Sequence, residues 1–273
     1  MNTTIAIKLS EQEVHVPQGM TLFDLREEHK PGADVLIVNG AQAAGDCVLA
    51  EGDAVVLIRR GEIPAKHELE ALMAARHTPG VHEKLKGATV GIAGAGGLGS
   101  AVAIALARIG VGRLILADFD VVEPSNLNRQ QFFVDQIGHA KVEALTANLQ
   151  RINPYVNVTP HLVKVTPENL AELFGDVDVM VEAFDRADQK AMLAEAFGGQ
   201  FPDKPIVLAT GLAGHMPSNT IRTQKMGRSM VIVGDLVTAA QPGTGLMAPR
   251  VGVAAHHQAN AVLRLILGED PEG

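Results

Sequence analysis

Thr89-Val-Gly-Ile-Ala93-Gly94-Ala95-Gly96-Gly97-Leu98-Gly99-Ser100 decides how the larger part of this chain folds. Thr89 to Ala93 reads as a buried strand, and the glycines after it open an alanine-rich helix. Gly94, Gly96 and Gly99 have the spacing of a dinucleotide turn, in which backbone comes close to a nucleotide and helix packs on strand. Gly97 lies in the same turn. The helix N-terminus behind it offers unpaired N–H groups to an anion. A second apolar run, Leu114 to Ala117, ends in Asp118. A carboxylate roughly twenty residues past such a turn can take both ribose hydroxyls. The alternative for Asp118 is a loop or helix cap.

Outward from this turn, strands alternate with helices, the pattern of a mostly parallel sheet with crossovers. Strands are expected at 88–93, 113–117, 157–163, 177–182 and 205–210, and helices at 98–109, 138–152, 167–174, 187–198 and 251–267. Thr220 to Thr223 and Ser229 to Val233 flank Lys225-Met226-Gly227 and predict an antiparallel hairpin. The fold class is α/β, a Rossmann-like doubly wound sheet. It covers residues 87–273, and residues 64–86 read as a helical, charged connector.

Residues 1–63 have a different pattern. Ile5, Ile7 and Leu9 alternate with small or polar residues, as do Val14 and Val16. Thr21 is placed to cap a helix over Leu22 to His29, with Asp24 in its first turn. Val35 to Val38 is a strand stopped by Asn39-Gly40, and Glu51-Gly52-Asp53 turns into Ala54 to Ile58. This order resembles the β-grasp (ubiquitin-like) sulfur carriers of thiamine and molybdopterin synthesis, a small α+β fold. Working carriers end in a free Gly-Gly carboxylate. Here Arg59-Arg60-Gly61-Glu62 runs on into the chain, so no carboxylate is available for adenylation. The module is expected to dock or stabilise rather than to carry sulfur.

Beyond Asp118 the chain reads Asp118-Phe-Asp-Val-Val-Glu-Pro-Ser-Asn126-Leu-Asn-Arg129-Gln-Gln. Arginine is permanently charged, and its planar fork matches phosphate oxygens. Lys141 stands in the first turn of a helix whose core face is Val142, Leu145, Leu149 and Ile152. A cation there opposes the helix dipole unless an anion is present; the alternative is a solvated lysine. Asp185 follows an apolar run at a strand end, where α/β folds place ligand groups. The alternative for Asp185 is a cap of the next helix.

Taken together these residues resemble the ubiquitin-activating-enzyme-like adenylyltransferases, most of all those of the ThiF type. Gly-x-Gly-Gly-Leu-Gly, Asp-x-Asp-x-Val-x-x-Ser-Asn-Leu-x-Arg-Gln and Lys-Val-Glu recur there in this order. So does Gly245-Leu-Met-Ala-Pro249-Arg-Val-Gly252 before the last helix. The resemblance covers residues 70 to 268. It implies that Gly97 and Asp118 hold adenosine, that Asn126 and Arg129 contact phosphates, and that Lys141 neutralises pyrophosphate. It implies Mg²⁺ on Asp185. It also implies that Arg76 reaches the ATP site of a second copy in a homodimer; a solvated helix charge is the alternative for Arg76. The reaction implied is ATP-dependent adenylation of the C-terminal glycine of a ubiquitin-like sulfur carrier with a Gly-Gly tail, in thiamine thiazole synthesis.

The composition is consistent with this and excludes several rivals. The chain has 273 residues, 47% hydrophobic and 20% charged, enough to bury a core. A net charge of -8 argues against a general nucleic-acid binder. No apolar run reaches membrane-spanning length, and the cytoplasm is the expected location. Cys47 is the one cysteine, so disulfides within the chain and the Cys-x-x-Cys zinc site of many relatives are excluded. Cys47 is expected to be a packed small hydrophobe. His256 and His257 are adjacent, face apart on a helix, and are not expected to bind metal. Two rival functions remain at this stage. One is an NAD-dependent oxidoreductase. The other is a non-catalytic ATP-binding protein blocked by its fused β-grasp domain.

Overall fold

The computed structural model describes residues 3–75 and 77–272, divided into two compact units that part between Thr78 and Pro79. Arg76 lies outside the described residues.

The first unit runs β1 (Thr4–Leu9), β2 (Gln12–Pro17), α1 (Leu22–His29), β3 (Val35–Val38), β4 (Ala41–Gln42), β5 (Ala54–Ile58) and α2 (Lys66–Ala74). Its sheet order is β2-β1-β5-β3-β4, with β1 and β5 parallel at the centre. The alternating residues Ile5, Ile7, Val16, Val55 and Leu57 face one core with Leu22 and Leu25 of α1. Thr21 and Asp24 form a reciprocal cap at the start of α1. The two turns read from sequence are joined: Asn39, at φ +51°, donates from Nδ2 to Asp53 Oδ1 at 2.9 Å and accepts from the Ala54 N–H at 3.0 Å.

The segment after β5 is tied back to its own unit. The Arg60 N–H donates to Asp34 Oδ1 at 3.0 Å, and Lys30 pairs with both Glu62 and Glu68. Cys47 corrects the sequence expectation. It is exposed, because the turn 44–48 leaves the sheet and only Leu49 returns to the core.

The second unit runs α3 (Val81–Gly87), β6 (Thr89–Ala93), α4 (Gly97–Arg108), β7 (Arg113–Asp118), α5 (Lys141–Ile152), β8 (Asn157–Leu162), α6 (Leu170–Phe174), β9 (Val179–Glu182), α7 (Ala187–Gln200), β10 (Ile206–Ala209), β11 (Arg222–Met226), β12 (Met230–Gly234) and α8 (Ala248–Leu267). The sheet order is β11-β12-β10-β9-β6-β7-β8. Every neighbouring pair is parallel except β11 with β12. Helices cover both faces. Leu106, Leu145 and Val262 belong to the core on one side, Phe174, Leu193 and Phe197 to the core on the other.

Several boundaries differ from expectation, three of them for a visible structural reason. α3 belongs to the second unit rather than to the connector: Leu85 is fully buried in its core and accepts from the Gly112 N–H at 2.9 Å. α5 starts at Lys141 because Gly138 is left-handed at φ +88° and bonds back to the Val122 carbonyl. The first arm of the hairpin extends through Met226, which pairs with Met230, so the turn shrinks to 227–229 around a left-handed Gly227. Strand order reverses at β6, whose neighbours are β7 and β9. In open α/β sheets, ligands bind at the carboxyl ends of the strands flanking such a switch point.

Candidate nucleotide site

The glycine-rich turn leaves β6 at the switch point. Gly94 has φ +99°, and a Cβ there would lie 2.7 Å from the Ala183 carbonyl oxygen of the neighbouring strand end. A Cβ on Gly99 would run into the Gly94 carbonyl. Gly96 is different: a Cβ would meet only Gln130 Nε2, at 3.8 Å, so backbone is open to a ligand here. No side chain caps the N-terminus of α4. Its free N–H groups and dipole favour an anion.

Asp118 ends β7 and is buried. Its Oδ2 accepts from the Ala95 N–H at 2.7 Å and its Oδ1 from the Asp120 N–H at 2.8 Å. It therefore clasps the glycine turn and its own loop, and each oxygen keeps a lone pair for a ribose hydroxyl.

Arg129 is half-buried and lines the cavity, with one terminal nitrogen held by Asn128 Oδ1 at 2.8 Å. Asn126 is buried, and its Oδ1 accepts from the Glu123 N–H. Its carbonyl accepts from the N–H groups of Arg129 and Gln130. It shapes the turn that presents Arg129. Gln130 is a cavity residue that the sequence reading passed over; its Oε1 is buried without a hydrogen-bond partner among the described residues. An orphaned buried acceptor beside Gly96 is the kind of group a bound ligand satisfies.

Lys141 is not a solvated lysine. Its side chain is 8% exposed, lines the cavity, and donates to Asp120 Oδ2 at 2.8 Å. The other two ammonium protons remain available. Asp185 lies just past the end of β9, exposed on the cavity wall. It does not cap α7, whose N-cap is Arg186 with no side-chain bond.

Glu182 and Lys190 form a pair invisible to the sequence reading. Glu182 is fully buried; the Lys190 ammonium reaches both of its oxygens, at 2.9 and 3.0 Å, and the Ala209 carbonyl at 2.9 Å. Three acceptors use all three of its protons, so Lys190 neutralises Glu182 rather than a ligand. Burial raises the Glu182 carboxyl above its ordinary range, and Lys190 pulls against that. Glu182 also accepts from the Phe184 N–H at 2.7 Å, which fixes the turn carrying Asp185.

These groups surround one cavity of about 400 Å³ running along the carboxyl edge of the sheet. From Val163 and Val165 after β8 it passes Asp118, the glycine turn and Asp185 to Thr210–Ala213 after β10 and Thr238–Ala240 after β12. Elsewhere, His256 Nδ1 lies 2.8 Å from the Gly252 carbonyl and His257 Nδ1 lies 3.0 Å from Thr223 Oγ1. Among the described residues no cluster of three or more His, Cys, Asp or Glu is arranged to hold a metal, and no helix is long and apolar enough to cross a membrane.

Residues 70–273 match the ThiF family. The chain belongs to that family. Residues 5–61 match a ThiS-like ubiquitin domain, ahead of the ThiF domain. The chain is 34% identical over 195 residues to the molybdopterin-synthase adenylyltransferase of Escherichia coli strain K12, covering 68% of this chain and 76% of that protein. It is 34% identical over 201 residues to the sulfur carrier protein ThiS adenylyltransferase of Bacillus subtilis strain 168, covering 71% and 59%. Among solved structures, the E. coli tRNA N6-threonylcarbamoyladenosine dehydratase TcdA, in complex with AMP, superposes with a TM-score of 0.66 at 21% identity. It covers 76% of this chain and 98% of that one. At that identity the likeness shows the shared fold of the ThiF domain.

Proposed function

We propose that this ThiF-family enzyme is an adenylyltransferase that joins AMP to the C-terminal carboxylate of a separate ubiquitin-like sulfur carrier. The observation that carries the proposal is the division of one cavity. The part at β7, β6 and β9 holds the glycine turn, Arg129, Lys141 and Asp185, while the part at β10 and β12 has no ionisable residue among the described residues. A triphosphate fits the first part, and an extended glycine tail fits the second.

In the proposed reaction a carrier carboxylate oxygen attacks the α-phosphorus of ATP in line. The bond to the bridging oxygen breaks, and pyrophosphate leaves with the electron pair. No protein nucleophile is needed; positioning and charge stabilisation supply the rate. Lys141 and Arg129 face the phosphates with protons to spare, and Asp118 holds the ribose. Mg²⁺ fits Asp185, since this ion binds through one or two carboxylates with substrate phosphates and water supplying the rest. When bound it draws charge from the phosphates.

The carrier proposed is of the ThiS class, in thiamine thiazole synthesis, in keeping with the ThiS-like domain at 5–61. A molybdopterin-type carrier is the competitor in the same assay. The fused domain docks rather than serves as substrate, because its segment after β5 is peptide-bonded onward and tied to Asp34 and Lys30. A homodimer, with Arg76 exchanged between copies, belongs to the same proposal.

Calorimetry with Mg·ATP and with NAD⁺ tests the nucleotide. Mg·ATP is expected to bind more tightly, because two cations and a free carboxylate suit a triphosphate. Equal or tighter binding of NAD⁺ overturns the reading in favour of an oxidoreductase.

A further inference from the structure

The β12-side end of the cavity is walled by a segment that owes its shape to one buried ion pair. After β12 the chain turns through Leu236, a non-glycine residue at φ +64°, before Thr238, Ala239 and Ala240 reach the cavity. Asp235 Oδ1 accepts from the N–H groups of Val237 and Thr238, both at 2.8 Å. Its Oδ2 accepts from Thr238 Oγ1 at 2.7 Å and from the Arg250 guanidinium at 2.6 Å.

Arg250 stands in the first turn of α8 with its side chain 3% exposed, against 10% for Asp235. Its other terminal nitrogen donates to the Met216 and Pro217 carbonyls at 2.9 and 3.0 Å. The nitrogen on Asp235 also reaches Thr220 Oγ1 at 3.1 Å. One guanidinium thus ties together the loop after β10, the loop after β12 and the start of α8. Neither Asp235 nor Arg250 touches the cavity.

The facing wall depends on the same clasp. The Asp235 N–H bonds to the Gly211 carbonyl at 2.9 Å, and the Ala213 N–H to the Thr238 carbonyl at 3.3 Å. Gly211, at φ +70°, has no room for a side chain: a Cβ would meet Asp235 Oδ1, and would lie 2.5 Å from the Leu236 nitrogen. By contrast the glycine turn is clasped by Asp118, on the other side of the switch point. Five inter-strand steps of about 4.8 Å separate β8 from β12, so the two ends of the cavity lie about 24 Å apart.

We infer that Asp235 and Arg250 are positioning residues for the acyl substrate: they hold Thr238–Ala240 against Gly211–Ala213 as an uncharged slot for an extended, glycine-rich carboxyl terminus, independently of the nucleotide end. The inference rests on the adenylation reading for the identity of the occupant, and on the hydrogen-bond pattern alone for the clasp. Lysine cannot replace Arg250. Four acceptors are met by a planar fork, and a single ammonium does not span them.

The test uses full-length Arg250→Met and Arg250→Lys. Carrier-dependent ATP–pyrophosphate exchange is measured with a ThiS-class carrier ending in Gly-Gly, together with native-state hydrogen exchange of the protein alone. Both variants are expected to raise the KM for carrier tenfold or more, with the KM for ATP within about threefold of wild type. The amides of Val237 and Thr238 should exchange at least tenfold faster, while Ala95 keeps its protection. Unchanged carrier KM in either variant overturns the inference, as does loss of ATP and carrier affinity in equal measure, which marks a merely structural pair. A wild type without exchange refutes the adenylation reading. In that case the clasp is judged by hydrogen exchange, and unaltered protection at Val237 and Thr238 in Arg250→Met refutes it.

Discussion

Lys141→Met separates chemistry from folding. Methionine keeps the buried stem and removes the ammonium. The partner left behind, Asp120, has a side chain 49% exposed and stays hydrated. Losing an ion pair with one wet partner costs less than about 1 kcal/mol of stability. The cost to the reaction is larger. Two unit charges 4 Å apart interact by about 4 kcal/mol at an effective dielectric constant of 20. Deleting one preorganised charge from a site of charge development costs about 3 to 4 kcal/mol, roughly 10²- to 10³-fold in rate. Carrier-dependent ATP–pyrophosphate exchange should therefore fall by two to three orders of magnitude in a variant that melts within a few degrees of wild type. Exchange within about threefold of wild type in such a folded variant refutes the assignment of Lys141 to the leaving pyrophosphate.

Two further outcomes follow from the geometry. Asp185→Ala should abolish exchange without shifting the melt, because the side chain is exposed, caps no helix, and in the proposed reaction holds Mg²⁺ on the phosphates; exchange within a few-fold of wild type contradicts the role. Asp235 gives a pH signature: burial works to raise its carboxyl, but hydrogen bonds from Thr238 and Val237 and the Arg250 guanidinium outweigh it and hold the carboxyl below its ordinary range. A depressed carboxyl stabilises the fold above its unfolded value of about 3.9 and loses that contribution as pH falls through the folded value. The stability gap between wild type and Asp235→Asn in urea melts should thus narrow below about pH 4, and a gap independent of pH contradicts the clasp.

The glycine turn and the strand end at Asp118 were legible because their constraints are local. Gly94 and Gly99 are glycines for steric reasons that act within one turn, and Asp118 sits at a strand end that the apolar run reveals. The paired turns at Asn39 and Asp53 were legible for the same reason. Lys141 needed the fold, since spacing alone does not show that its ammonium meets Asp120 across the loop between β7 and α5. The Glu182–Lys190 and Asp235–Arg250 pairs carry no local signature. Charges many residues apart meet only because strand ends and helix starts converge at one edge of the sheet. The exposure of Cys47 was missed because a small apolar side chain says nothing of whether its loop leaves the core.

In the proposed reaction this chain transfers AMP from ATP to another protein's C-terminal carboxylate. The most direct measurement is intact-mass spectrometry of the full-length protein and a ThiS-class carrier ending in Gly-Gly, incubated with Mg·ATP and quenched before hydrolysis. The account predicts that the carrier gains one adenylyl group while this chain gains none, and that a carrier lacking its terminal glycine stays unmodified. A stoichiometric adenylate on this chain, or a Gly-Gly carrier left unmodified by enzyme that binds Mg·ATP, would contradict it.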